Sequence, residues 1–239
     1  VFALPHRNYV GFSRFYSAQG LILSSLGPQW QHNYDIRLTY TDNVYYVHLP
    51  GEPPVALNKQ ASPHGFIRAG SATEQYIWHH NSGDRYTFIQ GKLTHLSQNK
   101  QHIYFDYYPT DSPWPHQLHK IRTKQTQLVL HYQQHGTRYY LQQLHSPIGV
   151  IRYHYDQPTE SDLLRLQRVQ YPDGRSLHYL YETERQSGHP FALTGISVQH
   201  APDGLLYRLR YWAYDRQGRA IYTAQEDKQQ AVEIQYPAT

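Results

Sequence analysis

Seventeen histidines and a recurring set of aspartates are the residues in this chain that could do chemistry. Histidines hold metals, and a zinc site needs three or four ligands in tetrahedral array. His79 and His80 are adjacent, so on a strand they face opposite sides. His131 and His135 share a strand face but lie ~13 Å apart along it. His116 and His119 suit a loop. No His-Glu-x-x-His phrase occurs. The histidines therefore read as structural or surface groups, with no metal site. Asp173 and Asp203 each sit in a Pro-Asp-Gly phrase. Two carboxylates work as acid and base when held roughly 5–10 Å apart, as in glycosidases. An Asp in such a phrase more simply accepts a hydrogen bond from the backbone two residues on. Asp156 and Asp215 each follow a Tyr and read as strand-end turn residues. There is no Gly-x-Ser-x-Gly elbow and no phosphate-cradling Gly-rich loop. No residue is assigned a catalytic or metal-binding role, and no cofactor is expected.

The 24 tyrosines answer to a repeat instead. One phrase runs Gly149 to Tyr153, Tyr155 and Asp156. It returns as Tyr171, Asp173 and Gly174 with Tyr179 and Tyr181, and again as Gly204 with Tyr211, Tyr214, Asp215 and Gly218. A repeated strand–turn unit implies a stack of copies. Tyr residues at matched positions of neighbouring strands then become cross-strand neighbours, each pair contributing about 0.2–1 kcal/mol. Stacking of sugars or bases on these rings is the functional alternative. Nucleic acid is not expected, because no Lys/Arg cluster lines a groove.

The positioning elements are strands. Period-2 alternation dominates: Leu128, Leu130 and Tyr132 share a face, as do Ile103, Phe105 and Tyr107, then Leu177, Tyr179 and Tyr181, then Leu205, Tyr207, Leu209 and Tyr211. Turn formers separate these runs, and Asp-Gly predicts type I′ hairpins because Gly supplies positive φ. The run Leu163, Leu164, Leu166 and Val169 can be read at helical spacing, but a strand suits the repeat better. Asp227 to Ile234 could hold one helical turn. With 15% aromatic and 39% hydrophobic residues the chain is not disordered. The net charge of +4 is scattered, which bears on solubility more than on partners. The absence of Cys excludes disulfides and thiolate metal sites. No apolar run reaches the ~18 residues of a membrane span. The chain does not begin with Met, so a processed or truncated piece of a longer product is expected. Residues 1–70 are non-repeating and contain four Pro between Pro50 and Pro63, which predicts an N-terminal cap region followed by repeats over 71–239.

The phrases at 149–156 and 214–219 resemble the repeat signature of the Rhs/YD-repeat family of polymorphic toxin proteins. The opening is similar to the domain that precedes those repeats, through Leu4-Pro5, Arg14-Phe15-Tyr16 and Leu26 to Tyr34. The resemblance implies an all-β antiparallel sheet of tandem hairpins forming part of a curved shell. It implies a shell that encloses a toxic C-terminal domain for delivery to a rival or host cell, often by type VI secretion. The chain is shorter than whole shells and lacks the family's closing Asp-Pro-x-Gly motif. It is therefore expected to be a non-enzymatic wall segment, assembled in the cytoplasm and then secreted or delivered. Its expected partners are the remaining repeats and the toxin domain, and possible ones are type VI spike components. Arg14, Tyr16, Trp30, His32 and Tyr34 mark the cap, with Trp30 and Tyr34 as candidates to pack it on the first repeats. An open last strand near Glu233–Tyr236 predicts self-association. Two rivals stand: a carbohydrate- or cell-surface-binding module, and a hydrolase or nuclease using residues such as His131 and Asp173.

Overall fold

The computed structural model describes residues 10–18, 22–60, 62–159, 161–182, 189–228 and 230–236. Leu4-Pro5 and most of the predicted loop from Thr183 to Pro190 lie outside them. The fold is all-β and antiparallel, with 56% strand against 1% helix, and its long strands follow one another as consecutive hairpins.

The leading segment holds four short strands: β1 (Arg14–Tyr16), β2 (Leu23–Ser24), β3 (Gly27–Pro28) and β4 (Trp30–His32). Ten follow: β5 (Arg37–Thr41), β6 (Val44–His48), β7 (Val55–Leu57), β8 (Phe66–Ala69), β9 (Gln75–His79), β10 (Arg85–Ile89), β11 (Lys92–Gln98), β12 (Gln101–Tyr107), β13 (Leu118–Arg122) and β14 (Gln127–His135). The last eight are β15 (Arg138–Ser146), β16 (Gly149–Asp156), β17 (Arg165–Gln170), β18 (Ser176–Tyr181), β19 (Leu193–Gln199), β20 (Leu206–Tyr214), β21 (Ala220–Gln225) and β22 (Val232–Glu233). A single 3₁₀ turn at Glu226–Lys228 precedes β22. The possible helical turn at Asp227 to Ile234 thus shrinks to that turn, and Val232–Glu233 pairs with β21 instead.

The chain gathers into two compact units. Among the described residues the first comprises Val10 to Phe15 with Gln31–His131. In it β5 to β7 pair in order, β8 to β14 pair in order, and Lys92 of β11 faces Arg37 of β5. Its buried stripe includes Val47, Ile67, Trp78, Phe88, Leu93 and Ile121, each at most 1% exposed. The second comprises Tyr16–Trp30 with the chain from Tyr132 onward, and β15 to β22 pair in sequence. Tyrosine supplies much of this core: Tyr132, Tyr140, Tyr153, Tyr179 and Tyr214 are buried.

Turn chemistry divides into two kinds. Asp42-Asn43, Gln90-Gly91 and Asn99-Lys100 have both central residues at positive φ, the type I′ condition. The repeat phrases do not. Tyr171 and Arg175 flank a three-residue loop in which Tyr171 N–H donates to Arg175 O and Gly174 N–H to Tyr171 O. Asp215 and Arg219 flank another with the same two bonds, closed by Gly218. Gly174 and Gly218 take φ of 86° and 75°, so each glycine ends a type I turn rather than filling a two-residue hairpin.

The helix-like spacing of Leu166 and Val169 also resolves. His154 faces Arg168 but Tyr155 faces Leu166, so Gln167 is an extra, bulged residue. A bulge shifts the phase of alternation by one, which turns i, i+2 into i, i+3 on the buried face. Thr94 and His119 are skipped in the same way, placing Leu93 with Leu96 and Leu118 with Ile121 on one side. His119 accordingly lies in a strand, not the expected loop, whereas His116 does lie between strands. One predicted face is not buried: Leu205 and Tyr207 are 75% and 49% exposed.

Candidate functional site

A recurring arrangement among the described residues is a tyrosine latch at four of the bulges, while the slips at Phe88 and at Ile196–Ser197 carry none. Tyr107, Tyr155, Tyr181 and Tyr214 each lie at or beside the end of a strand. Each is where pairing with the next strand slips by one residue. The extra residue opens the ladder there, and the ring turns back over the preceding strand. Its hydroxyl then donates to a leucine carbonyl: Tyr107 to Leu93 (2.9 Å), Tyr155 to Leu141 (2.7 Å), Tyr181 to Leu166 (2.6 Å) and Tyr214 to Leu193 (2.9 Å). Burial pushes all four phenols well above the ordinary tyrosine range, so they remain donors at any physiological pH. A hydroxyl committed in this way cannot also serve as acid, base or nucleophile. The leucine partners escape sequence reasoning because a carbonyl acceptor carries no residue signature. The available signal was the Leu-x-x-(Leu/Ile/Val) phrase starting at Leu93, Leu118, Leu141, Leu166 and Leu193, every twenty-odd residues.

The cross-strand partners of the repeat tyrosines correct the idea of a Tyr–Tyr ladder. Tyr153 faces Val169, Tyr155 faces Leu166, Tyr179 faces Ile196, Tyr181 faces Leu193, and Tyr211 lies between Gly195 and Ala224. Large rings opposite small or aliphatic side chains fill the layer without crowding. Ring-on-ring contacts among the described residues include Tyr140 with Tyr155 (5.3 Å) and Tyr40 with Tyr45 (4.5 Å).

At one end of these strands the Pro-x-Gly turns stack. Gly149 has φ of 123°, and a Cβ built there would lie 2.7 Å from Cβ of Pro172. Pro202 Cδ lies 3.6 Å from the corresponding position at Gly174. Each proline thus occupies room left by the glycine of the preceding turn. Gly204 differs: it is absent from the positive-φ glycines and its N–H donates to Ala201 O.

The aspartates build turns and grip arginines. Asp173 Oδ1 accepts Arg175 N–H at 3.1 Å, and Oδ2 accepts Arg175 Nε at 2.7 Å. The Arg175 hydrogen bond holds that carboxyl below the usual range. Asp215 accepts the N–H groups of Gln217 and Arg219 and also the Arg219 guanidinium. Asp156 makes a two-point pair with Arg165 (both bonds 2.9 Å), whose guanidinium also donates to Pro190 O and lies 4.8 Å from the Tyr181 ring centre. Arg175 and Arg219 belong to the repeat phrases, whereas Arg165 was not singled out in the sequence.

The cap residues separate into two places. Tyr16 and Trp30 join the second unit. Trp30 Nε1 donates to the Tyr181 hydroxyl (2.9 Å) and its ring packs 4.6 Å from Tyr179 and 5.4 Å from Tyr16. Tyr16 accepts Leu193 N–H (3.0 Å) and donates to Phe191 O (2.9 Å). Trp30 therefore packs on β18, far along the chain from the first repeats. In the first unit Tyr34 packs 5.3 Å from Phe105, and burial pushes its phenol up to about 12. His32 is 2% exposed. Its Nδ1 accepts Tyr34 N–H (3.1 Å), which fixes the neutral ring with its proton on Nε2, donating to Asp35 (3.0 Å). Arg14 is half-buried in β1.

Three of the histidines considered as ligands lie against rings. His79 stacks on Phe66 (4.7 Å), His80 meets Trp78 (5.0 Å), and His131 meets Trp114 (5.7 Å). Among the described residues no three His, Asp or Glu side chains come together as metal ligands, and no helix is long and apolar enough to cross a membrane.

Residues 1–52 match the family described as a domain of unknown function, DUF6531. No curated protein matches. Eighteen chains of solved structures match. One of them belongs to the Photorhabdus luminescens Tc holotoxin pore, with 12% identity and a TM-score of 0.25. The alignment covers 79% of this chain and 10% of that one, so the chain spans a tenth of that neighbour's length.

Proposed function

We propose that this chain is a wall segment of a β-sheet enclosure of the Rhs/YD-repeat kind, holding a client polypeptide that is delivered with it. The observation that carries this reading is the latch: four phenols at equivalent bulges, all spent on neighbouring backbone. Repeated residues that lock strand to strand describe a barrier built by iteration, in which no position is reserved for a reaction. Residues 1–70 serve as the cap region and 71–239 as the array. The client is a toxin domain from the same longer product, and the enclosure is secreted or delivered from a bacterium. Further repeats are its immediate partners, and a type VI spike is a candidate carrier. The match of residues 1–52 to DUF6531 supports a distinct leading domain.

The test is protease protection of a C-terminal domain in the longer reading frame's product. Wild-type wall should leave that domain uncut under native conditions. Combined Tyr155→Phe and Tyr181→Phe substitution should admit protease at the same concentration. A domain cut equally fast in both proteins would refute enclosure. Specific binding of the isolated chain on a glycan array would instead favour a surface-binding module.

A further inference from the structure

The face of the second unit opposite Tyr153 carries two polar rows that cross the strands. One runs Gln143, Arg152, Gln170, Ser176, Gln199, and the other His154, Arg168, His178, Ser197, Arg208, each residue directly facing the next. Neither row contains a carboxylate. Arg168 stands between two imidazoles with no carboxylate facing it in either row, so its guanidinium is left for an anion from outside. Arg165, Arg175 and Arg219 each hold an aspartate, whereas no ion pair is found for Arg152 or Arg168 among the described residues. His154 adds an independent sign: its Nε2 is buried without a well-aligned hydrogen-bond partner, the Gln170 side chain being the polar group that interacts with the ring. His178 is half-buried, with Nε2 on Ser176 (2.9 Å) and Gln199 (3.3 Å).

We infer that this row is a binding site for a phosphate group, seated over Arg168 and flanked by His154 and His178. The spacing selects the ligand. Neighbouring strands lie about 4.8 Å apart, so one compact anion above Arg168 lies within reach of both imidazoles. A carboxylate has two oxygens and satisfies the guanidinium fork alone. A phosphate has enough oxygens to meet the fork and both rings. Arg152, two residues before His154 on the same face of β16, supplies a second guanidinium at the rim. Burial first, then the charge of Arg168, holds both imidazoles below the ordinary range in the empty site, and Arg152 adds to this at His154. An anion between them reverses that field, so binding and protonation reinforce each other. The inference does not depend on the enclosure reading.

The experiment is a titration of the chain with inorganic phosphate at constant ionic strength, followed by the imidazole NMR signals. His154 and His178 are assigned with His154→Gln and His178→Gln. Saturable, concerted shifts of both rings are expected, with tighter binding at pH 6 than at pH 7.5. Sodium acetate in place of phosphate should produce no saturation. Arg168→Gln should weaken phosphate binding about ten-fold or more, while Arg216→Gln, in an exposed loop, should not. If Arg168→Gln does not fold, Arg152→Gln and the two His variants serve as the weakened set. Linear shifts without saturation, equal saturation by acetate, or undiminished binding in these variants would overturn the site.

Discussion

A phenol bonded to a buried carbonyl contributes about 0.5–1.5 kcal/mol net, and an orphaned acceptor costs about 1–3. Tyr155→Phe, Tyr181→Phe and Tyr214→Phe should each lower stability within that span, read as a shift of the urea midpoint with unchanged slope. Tyr236→Phe should do almost nothing, since its hydroxyl meets Ala220 O at an exposed site. Gly149→Ala places a Cβ both at φ of 123° and against Pro172, so about 1–3 kcal/mol or more of loss is expected in the same assay. Much at this scale is legible in the sequence. Asp173 accepting the N–H two residues on follows from its phrase alone. Of the two Asp-Gly glycines, Gly174 is rightly assigned positive φ and Gly204 is not, and the two-residue loop is not right either, because Pro172-Asp173-Gly174 spans the gap with three. The tyrosine–carbonyl bonds are not legible, since their acceptors are leucine main chain.

Strands are legible by alternation, and the exceptions have one cause. Leu93 with Leu96 and Leu166 with Val169 break the period of two because a bulge intervenes, so a strand imitates helical spacing there. The leading segment is read less well: its rings mark a cap, but nothing in its spacing specifies that Trp30 meets Tyr181. The Trp30 indole donates to the very hydroxyl that latches Leu166, so the two residues should be energetically coupled. A double-mutant cycle with Trp30→Phe and Tyr181→Phe should give a coupling of about 0.5–3 kcal/mol in urea unfolding. Strict additivity would mean that the segment is not braced by the latch.

For the whole molecule, acid is the informative variable. His32, His48, His79, His95, His119, His154 and His178 all have ring pKa values held below the ordinary range, with burial the leading cause. The unfolded chain therefore binds protons near pH ~6.5 that the folded chain refuses. Stability should be fully present above pH ~6.5 and fall as pH drops through the folded values. Asp173 adds a loss at lower pH, below ~3.8, while burial of Asp35 acts in the opposite sense. Urea midpoints from pH 7.5 to 5 should decline, and the His32→Asn variant should decline less steeply than wild type.

The central claim is that bulge tyrosines hold this array together strand by strand, and amide hydrogen exchange tests it most directly. Tyr155→Phe should speed exchange in β15 and β16, and Tyr181→Phe in β17 and β18, with β5 and β6 unchanged in both. Uniform loss of protection along the chain, or none in the latched strands, would contradict the account.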